Sequence, residues 1–261
     1  MKKNTQINLI EGTIAKNIVR FAVPMFLGNL FQQLYNMADS LVVGNFLGSR
    51  SLAAVTSTGS LIFLLVGFFS GTAMGAGVVI SRFFGAKDYN NIKKAVHTDI
   101  AFGILCGILM TVVGVIFAPQ ILSLMGTPDD VFVESVRYIR IYFLGSLAVI
   151  MYNVCMGILQ AVGDSRHPLY YLIISSVVNI ILDLLFIGIF RFGVGSAALA
   201  TIISQFLSVA LCMRQLIKTD DVYRVCIKDI AFDKGILVQI LNIGLPSGLQ
   251  NSIISIANVV L

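Results

Sequence analysis

Asp39 and Asp183 lie inside long apolar runs, and no Lys or Arg falls at a matching depth in those runs to neutralise them. An ionised Asp within a membrane span costs at least about 2.5–3.5 kcal/mol, so it normally faces a wet cavity, a cation or a partner. Two carboxylates without a fixed cation suggest a site for a mobile one. Hard oxygen ligands suit Na⁺, and two carboxyls crowded in a dry place favour uptake of a proton. Other polar residues follow the same helical spacing. Ser175, Asn179 and Asp183 recur every four residues, and Thr201, Ser204, Gln205 and Ser208 form a second stripe. Asn29, Gln32, Gln33, Asn36, Asp39 and Ser40 are three and four apart, which puts them on one helix face. That face cannot point at lipid, and Asn29, Gln32, Gln33, Asn36 and Gln205 are candidates for lining a substrate cavity. For Asn179 and Thr201, hydrogen bonding between helices is an equally good reading.

Positioning such residues takes membrane-spanning helices, and the composition supplies them. The 261 residues are 57% hydrophobic and 12% charged, against about 45–50% and about 25% in a soluble domain. An all-α polytopic membrane protein is the fold class expected. Apolar runs bounded by charged or Gly/Pro punctuation predict helices over 17–44, 51–80, 95–118, 131–158, 168–190 and 195–217, with a seventh beginning near Gly235. The basic N-terminal segment leads into a long run without a small-residue cleavage site, so it reads as a first span and not a removed signal peptide. Of the 18 Lys and Arg, all but Arg50, Arg137, Arg140 and Arg191 fall on the N-terminal side of the predicted topology. The positive-inside rule therefore places the N-terminus in the cytoplasm, with multi-pass insertion in the inner membrane. In that topology Asp39 shortly precedes the outer turn at Gly44–Gly48, and Asp183 and Thr201 flank the outer turn near Gly193, so three helices offer oxygens at comparable depth. The net charge of +5 then reflects topology and membrane lipid, and requires no nucleic-acid partner.

Helix seven resembles helix one starting again. The offset that pairs Pro24 with Pro246 also pairs Leu27 with Leu249, Asn29 with Asn251 and Asn36 with Asn258. A repeat after six helices implies parallel halves. We expect a six-helix lobe over 1–217, a cytoplasmic linker over 218–234, and over 235–261 the first helix of a second lobe, cut within the membrane, so that a C-terminal lobe of the same chain would be its partner. Gly67, Gly71 and Gly75, like Gly103 and Gly107, have the small-xxx-small spacing of close helix packing. Cys106, Cys155, Cys212 and Cys226 lack metal-type spacing and are expected to pack. His97 and Asp99, near the end of helix three, are expected at the membrane interface. A membrane-embedded enzyme is not expected, since the HExxH motif and paired in-membrane His are absent.

Several segments in order carry a resemblance to a known family: Pro24 with Gln32 and Gln33, ADSLVVGNFLG at 38–48, SRFFGAKD at 81–88, LQAVGD at 159–164, NIILD at 179–183 and GSAALATIISQ at 195–205. The chain resembles the multidrug and toxic compound extrusion (MATE) transporters over its whole length. The resemblance implies a twelve-helix protein of two lobes that exports organic cations and other amphiphilic small molecules in exchange for Na⁺ or H⁺, with no cofactor beyond that coupling ion. It also implies a cation site, suited to Na⁺, at Asp39, Asn179, Asp183 and Thr201. The alternative is a lipid-linked saccharide flippase of related architecture, although its anionic cargo would favour Lys or Arg inside the lobe.

Overall fold

The computed structural model describes residues 14–260. Lys2 and Lys3 of the orientation argument lie outside the described residues, as does the side chain of Asn258. The described residues form helices without strands: α1 (Ile14–Gly85), α2 (Tyr89–Leu124), α3 (Asp129–Leu144), α4 (Ser146–Ala161), α5 (Arg166–Asp183) running into a π-helical turn (Leu184–Ile189), α6 (Gly195–Lys218) and α7 (Lys234–Val260). Straight, the 72 residues of α1 would measure about 108 Å at 1.5 Å per residue, over three times the hydrocarbon core of about 30 Å. The break that divides it is at Gly48, whose φ of 85° and ψ of 178° leave the helical region. A residue without Cβ adopts that conformation at little cost. α1 is thus two spans in tandem, over 14–47 and 49–85. α2, α5 with its π turn, and α6 are each long and apolar enough to cross a membrane.

The fourth predicted helix, 131–158, is corrected to two. α3 and α4 meet at a 48° bend centred on Gly145, where an added Cβ would lie 2.3 Å from Ile202 Cγ1 of α6. The bend follows from that approach, which a hydropathy pattern does not record.

The turns at the basic end share one construction. In SRFFGAKD the chain leaves α1 through Lys87 at φ 56°, and Asp88 caps α2 by accepting from Asn91 N–H at 3.2 Å. In LQAVGD it leaves α4 through Gly163 at φ 86°, and Asp164 Oδ1 accepts from His167 N–H at 3.2 Å. A left-handed residue followed by an Asx cap reverses the chain within a few residues.

The linker between α6 and α7 is docked against the bundle. Tyr223 and Val225 are buried in the same core as Ile92, Val96 and Leu216. His97 Nε2 accepts from Cys226 N–H at 3.0 Å, and its Nδ1 lies 2.7 Å from Lys93 O, which together require the neutral ring with its proton on Nδ1. Thr98 Oγ1 accepts from Asp233 N–H at 3.1 Å. Lys93 Nζ lies 2.7 Å from Asp229, and this bond holds the Asp229 carboxyl below the usual carboxylate range. The contribution is therefore present at neutral pH and lost as the pH falls through the depressed folded value. His97 and Asp99, expected near the membrane interface, are buried within the protein, 2% and 1% exposed.

α7 crosses the second span of α1 backbone to backbone. A Cβ on Gly71 would lie 2.5 Å from Gly248 Cα, and one on Gly75 would lie 2.4 Å from Gly244 N. Asn251 Nδ2 adds a bond to Gly67 O at 3.4 Å. Gly103 and Gly107 meet α4 at Val154 and Leu147 in the same way.

Gly71→Ala and Gly248→Ala should each destabilise the protein by about 1–3 kcal/mol, the range for overpacking a close contact. Gly59→Ala, where a Cβ meets nothing within 4 Å, should be neutral or stabilise by up to about 1 kcal/mol. Melting of the detergent-solubilised variants, followed by size-exclusion chromatography, checks this, and equal melting of all three would reject the backbone crossing.

Candidate functional site

Three helix segments bring four of the predicted side chains together. The first span of α1 supplies Asp39, nine-tenths buried, shortly before the Gly48 break. α5 supplies Asn179 and Asp183, both fully buried on its Ser175 stripe, and α6 supplies Thr201, 6% exposed. Asp183 is the last α-helical residue before the π turn. A widened turn of this type shifts the side-chain register and recurs at functional sites.

The carboxyl groups of Asp39 and Asp183 face each other within hydrogen-bonding range. Asn179 sits behind them. With its amide turned so that both ends are satisfied, Nδ2 donates to Asp183 Oδ2 at 3.1 Å and the carbonyl oxygen accepts from Thr201 N–H at 3.2 Å. Thr201 Oγ1 donates to Ala197 O at 3.1 Å and accepts from Tyr35 O–H at 3.4 Å. Asp39 Oδ1 and Asp183 Oδ1 are buried without a partner among the described residues. No ion pair to either acid forms among those residues.

Two facing carboxylates out of water cannot both stay ionised without a counter-charge. The arrangement can take a proton shared by the pair, or a small hard cation between the two orphaned oxygens. A cation would draw further ligands from Thr201 Oγ1 and from Asn179 Oδ1 if that amide turned over. The donor set, all oxygen, fits an alkali cation.

Three tyrosines complete the site, and the sequence reading missed them. Tyr35 precedes Asp39 by one helical turn. Tyr138 and Tyr142 of α3 lie close enough to Asp39 for their hydroxyls to sense its charge, with ring centroids 6.5 Å apart. The four-residue spacing of Tyr35 from Asp39 was an available signal. The proposed cavity residues do not join this cluster: Asn29, Gln32 and Gln33 are exposed among the described residues, and Asn36 Nδ2 bonds Gln33 Oε1 at 3.3 Å. Gln205, one turn beyond Thr201, is half-buried with an unpaired Oε1. The buried acidic site and the exposed polar face of α1 are therefore distinct.

The MatE family model matches residues 24–185. The chain is 34% identical over 257 residues to the probable multidrug resistance protein YoeA of Bacillus subtilis, covering 95% of this chain and 55% of that protein. It is 28% identical to the multidrug export protein MepA of Staphylococcus aureus, covering 99% of this chain and 58% of that protein. A solved outward-facing multidrug resistance MATE family transporter superposes with a TM-score of 0.89 at 29% identity, over 98% of this chain and 57% of the transporter. The chain thus spans a little over half the length of these relatives.

Among the described residues Asn179 is the amide that donates to the acid pair, so its removal strands Asp183 Oδ2. Asn179→Ala should cost about 1–3 kcal/mol, the penalty for an unsatisfied buried group. Tyr35→Phe, which loses a single long bond, should cost about 0.5–1.5 kcal/mol. Thermal melting of the purified variants compares them, and an Asn179→Ala protein as stable as the wild type would contradict the bridging role.

Proposed function

The chain belongs to the MatE family, the multidrug and toxic compound extrusion transporters, and from that membership we propose that its protein exports amphiphilic and organic-cationic small molecules across the cytoplasmic membrane in exchange for H⁺ or Na⁺ bound at Asp39 and Asp183. One observation supports this reading above all: two facing buried carboxyls, each with an unpartnered oxygen, held by Asn179 and Thr201 and lacking a fixed cation. The coupling ion is the only cofactor required. Lipid-linked saccharide flipping is not favoured, because the relatives are named for multidrug resistance and export.

The chemistry follows from the charge of the pair. In the outward-facing state the acids accept a proton or Na⁺, which removes their mutual repulsion and changes how the first span of α1 packs on α5 and α6. Antiport requires only that the ion and the cargo stabilise different states, or compete for the same negative charge. The exposed Asn29, Gln32 and Gln33 face supplies amide donors and acceptors to a cargo in a cavity completed by the second lobe. With the basic end of the bundle in the cytoplasm, as the positive-inside rule requires, the acid pair lies in the outer half and takes up its ion from outside.

Efflux from vesicles under separately imposed Na⁺ and pH gradients tests the function and identifies the ion. Asp39→Asn and Asp183→Asn should insert normally and lose ion-driven efflux by about tenfold or more, the effect of some 1.4 kcal/mol of lost ion binding. Thr201→Ala should lose less. If the two acids hold one ion, the double variant should be scarcely worse than the worse single one. Neither Asp→Asn variant should melt below the wild type, since each relieves a like-charge contact. Wild-type efflux in both single variants would rule out the site.

Orientation is tested independently by single cysteines. Those beside Lys93 and Arg224 should react with an impermeant maleimide only from the cytoplasmic face, and one beside Asp129 only from outside. Inside-only labelling at Asp129 would invert the proposed topology.

A further inference from the structure

Asp99 of α2 is 1% exposed, and neither carboxyl oxygen has a hydrogen-bond partner among the described residues. It lies in the basic half of the bundle, five and six residues beyond Lys94 and Lys93 of α2, whereas the Asp39–Asp183 pair lies towards the other end. The preceding residues, His97 and Thr98, carry the bonds to the linker. Its sequence neighbours Val96 and Ile100 belong to an apolar core shared with Cys155 and Ile158 of α4. The titratable groups that register Asp99 are the thiols of Cys106 on the same helix and Cys155 on α4. Among the described residues no ion pair includes Asp99.

A carboxylate that is buried with no hydrogen-bond donor among the described residues is an uncompensated charge, which folded proteins avoid by neutralising the group. An alkali ion is a poor neutraliser here, because hard cations need several oxygen ligands and the titratable neighbours are thiols. Nor do three or more His, Cys, Asp or Glu side chains converge on a metal-sized site anywhere among the described residues. The ligand left is a proton.

We infer that Asp99 is a proton-binding site, separate from the Asp39–Asp183 pair and set in the basic half of the bundle beneath the docked linker. The proton resides on the carboxyl while α2, α4 and the linker remain packed. It leaves only when water reaches Asp99, which requires those elements to part. Proton occupancy and closure of this end are therefore linked, each favouring the other.

The inference does not depend on the transport reading, and its test reads the proton directly. Infrared spectra of the full chain in membranes are compared in an Asp39→Asn/Asp183→Asn background, with and without Asp99→Asn, from mildly acidic to mildly alkaline pH. Subtraction should reveal the carbonyl band of one protonated carboxyl at neutral pH, lost in the Asp99→Asn protein. Should Asp99→Asn fail to accumulate, Asp99→Ser provides the same subtraction. A subtraction without a protonated-carboxyl band at neutral pH would overturn the site, as would a band that vanishes across the ordinary carboxylate range.

Discussion

The repulsion between Asp39 and Asp183 is the constraint around which this bundle is arranged. Out of water, like charges in contact oppose folding unless something positive joins them. No Lys or Arg pairs with either acid among the described residues. The exchange proposed above would neutralise the pair with an ion taken up from solution. The discontinuities in the helices serve this placement: α1 breaks at Gly48 just beyond Asp39, and α5 changes to a π turn immediately after Asp183. A continuous α-helix through either point would rotate the side chains beyond it into a different register.

Most other polar groups in the spans are satisfied by their own helices. Ser40, Thr58, Thr72, Ser176, Thr201 and Ser204 each donate to the carbonyl four residues earlier. A hydroxyl can do this because it carries a proton to donate. An ionised carboxylate accepts only and cannot bond a helical carbonyl. Among the described residues the hydroxyls of Thr111, Ser165, Ser208 and Ser252 also lack a partner, but only the unpartnered oxygens of Asp39, Asp99 and Asp183 would carry a charge if ionised.

The helices were legible in the sequence because each depends on a local property, an apolar run long enough to cross a bilayer. Asp39, Asn179, Asp183 and Thr201 were legible because a polar residue in such a run is costly wherever it lies. The bend at Gly145 was not legible, since it depends on Ile202, far away in sequence. The tyrosines were missed for a different reason. A phenol is ordinary in an apolar helix, and only its position beside Asp39 gives it significance. The burial of His97 was not legible, because a linker that reads as a polar loop bonds it through Cys226 N–H and inserts Tyr223 and Val225 into the core. Spacing alone could not separate Asn29, Gln32 and Gln33, which are exposed, from the face that carries Asp39 into the buried site.

The crossing of α7 on α1 shows how the two ends of the bundle can be treated differently. Glycines let the two backbones approach closely, and Ile236 and Ile240 of α7 add side chains to the core they share with Val79 and Ile80 of α1. The polar bonds that tie the linker to α2 lie at one end only: Lys93 to Asp229, His97 to Cys226 N–H, and Thr98 to Asp233 N–H. The opening of this end that the Asp99 inference invokes would break a few bonds of modest strength, several of them at the surface, where water replaces them. It also wets the carboxyl of Asp99, while the bonds among Asn179, Asp183 and Thr201 at the opposite end need not change. Under the inference drawn for Asp99, such opening would ionise a single buried acid and so would be sensitive to proton concentration without rearrangement of the Asp39–Asp183 pair.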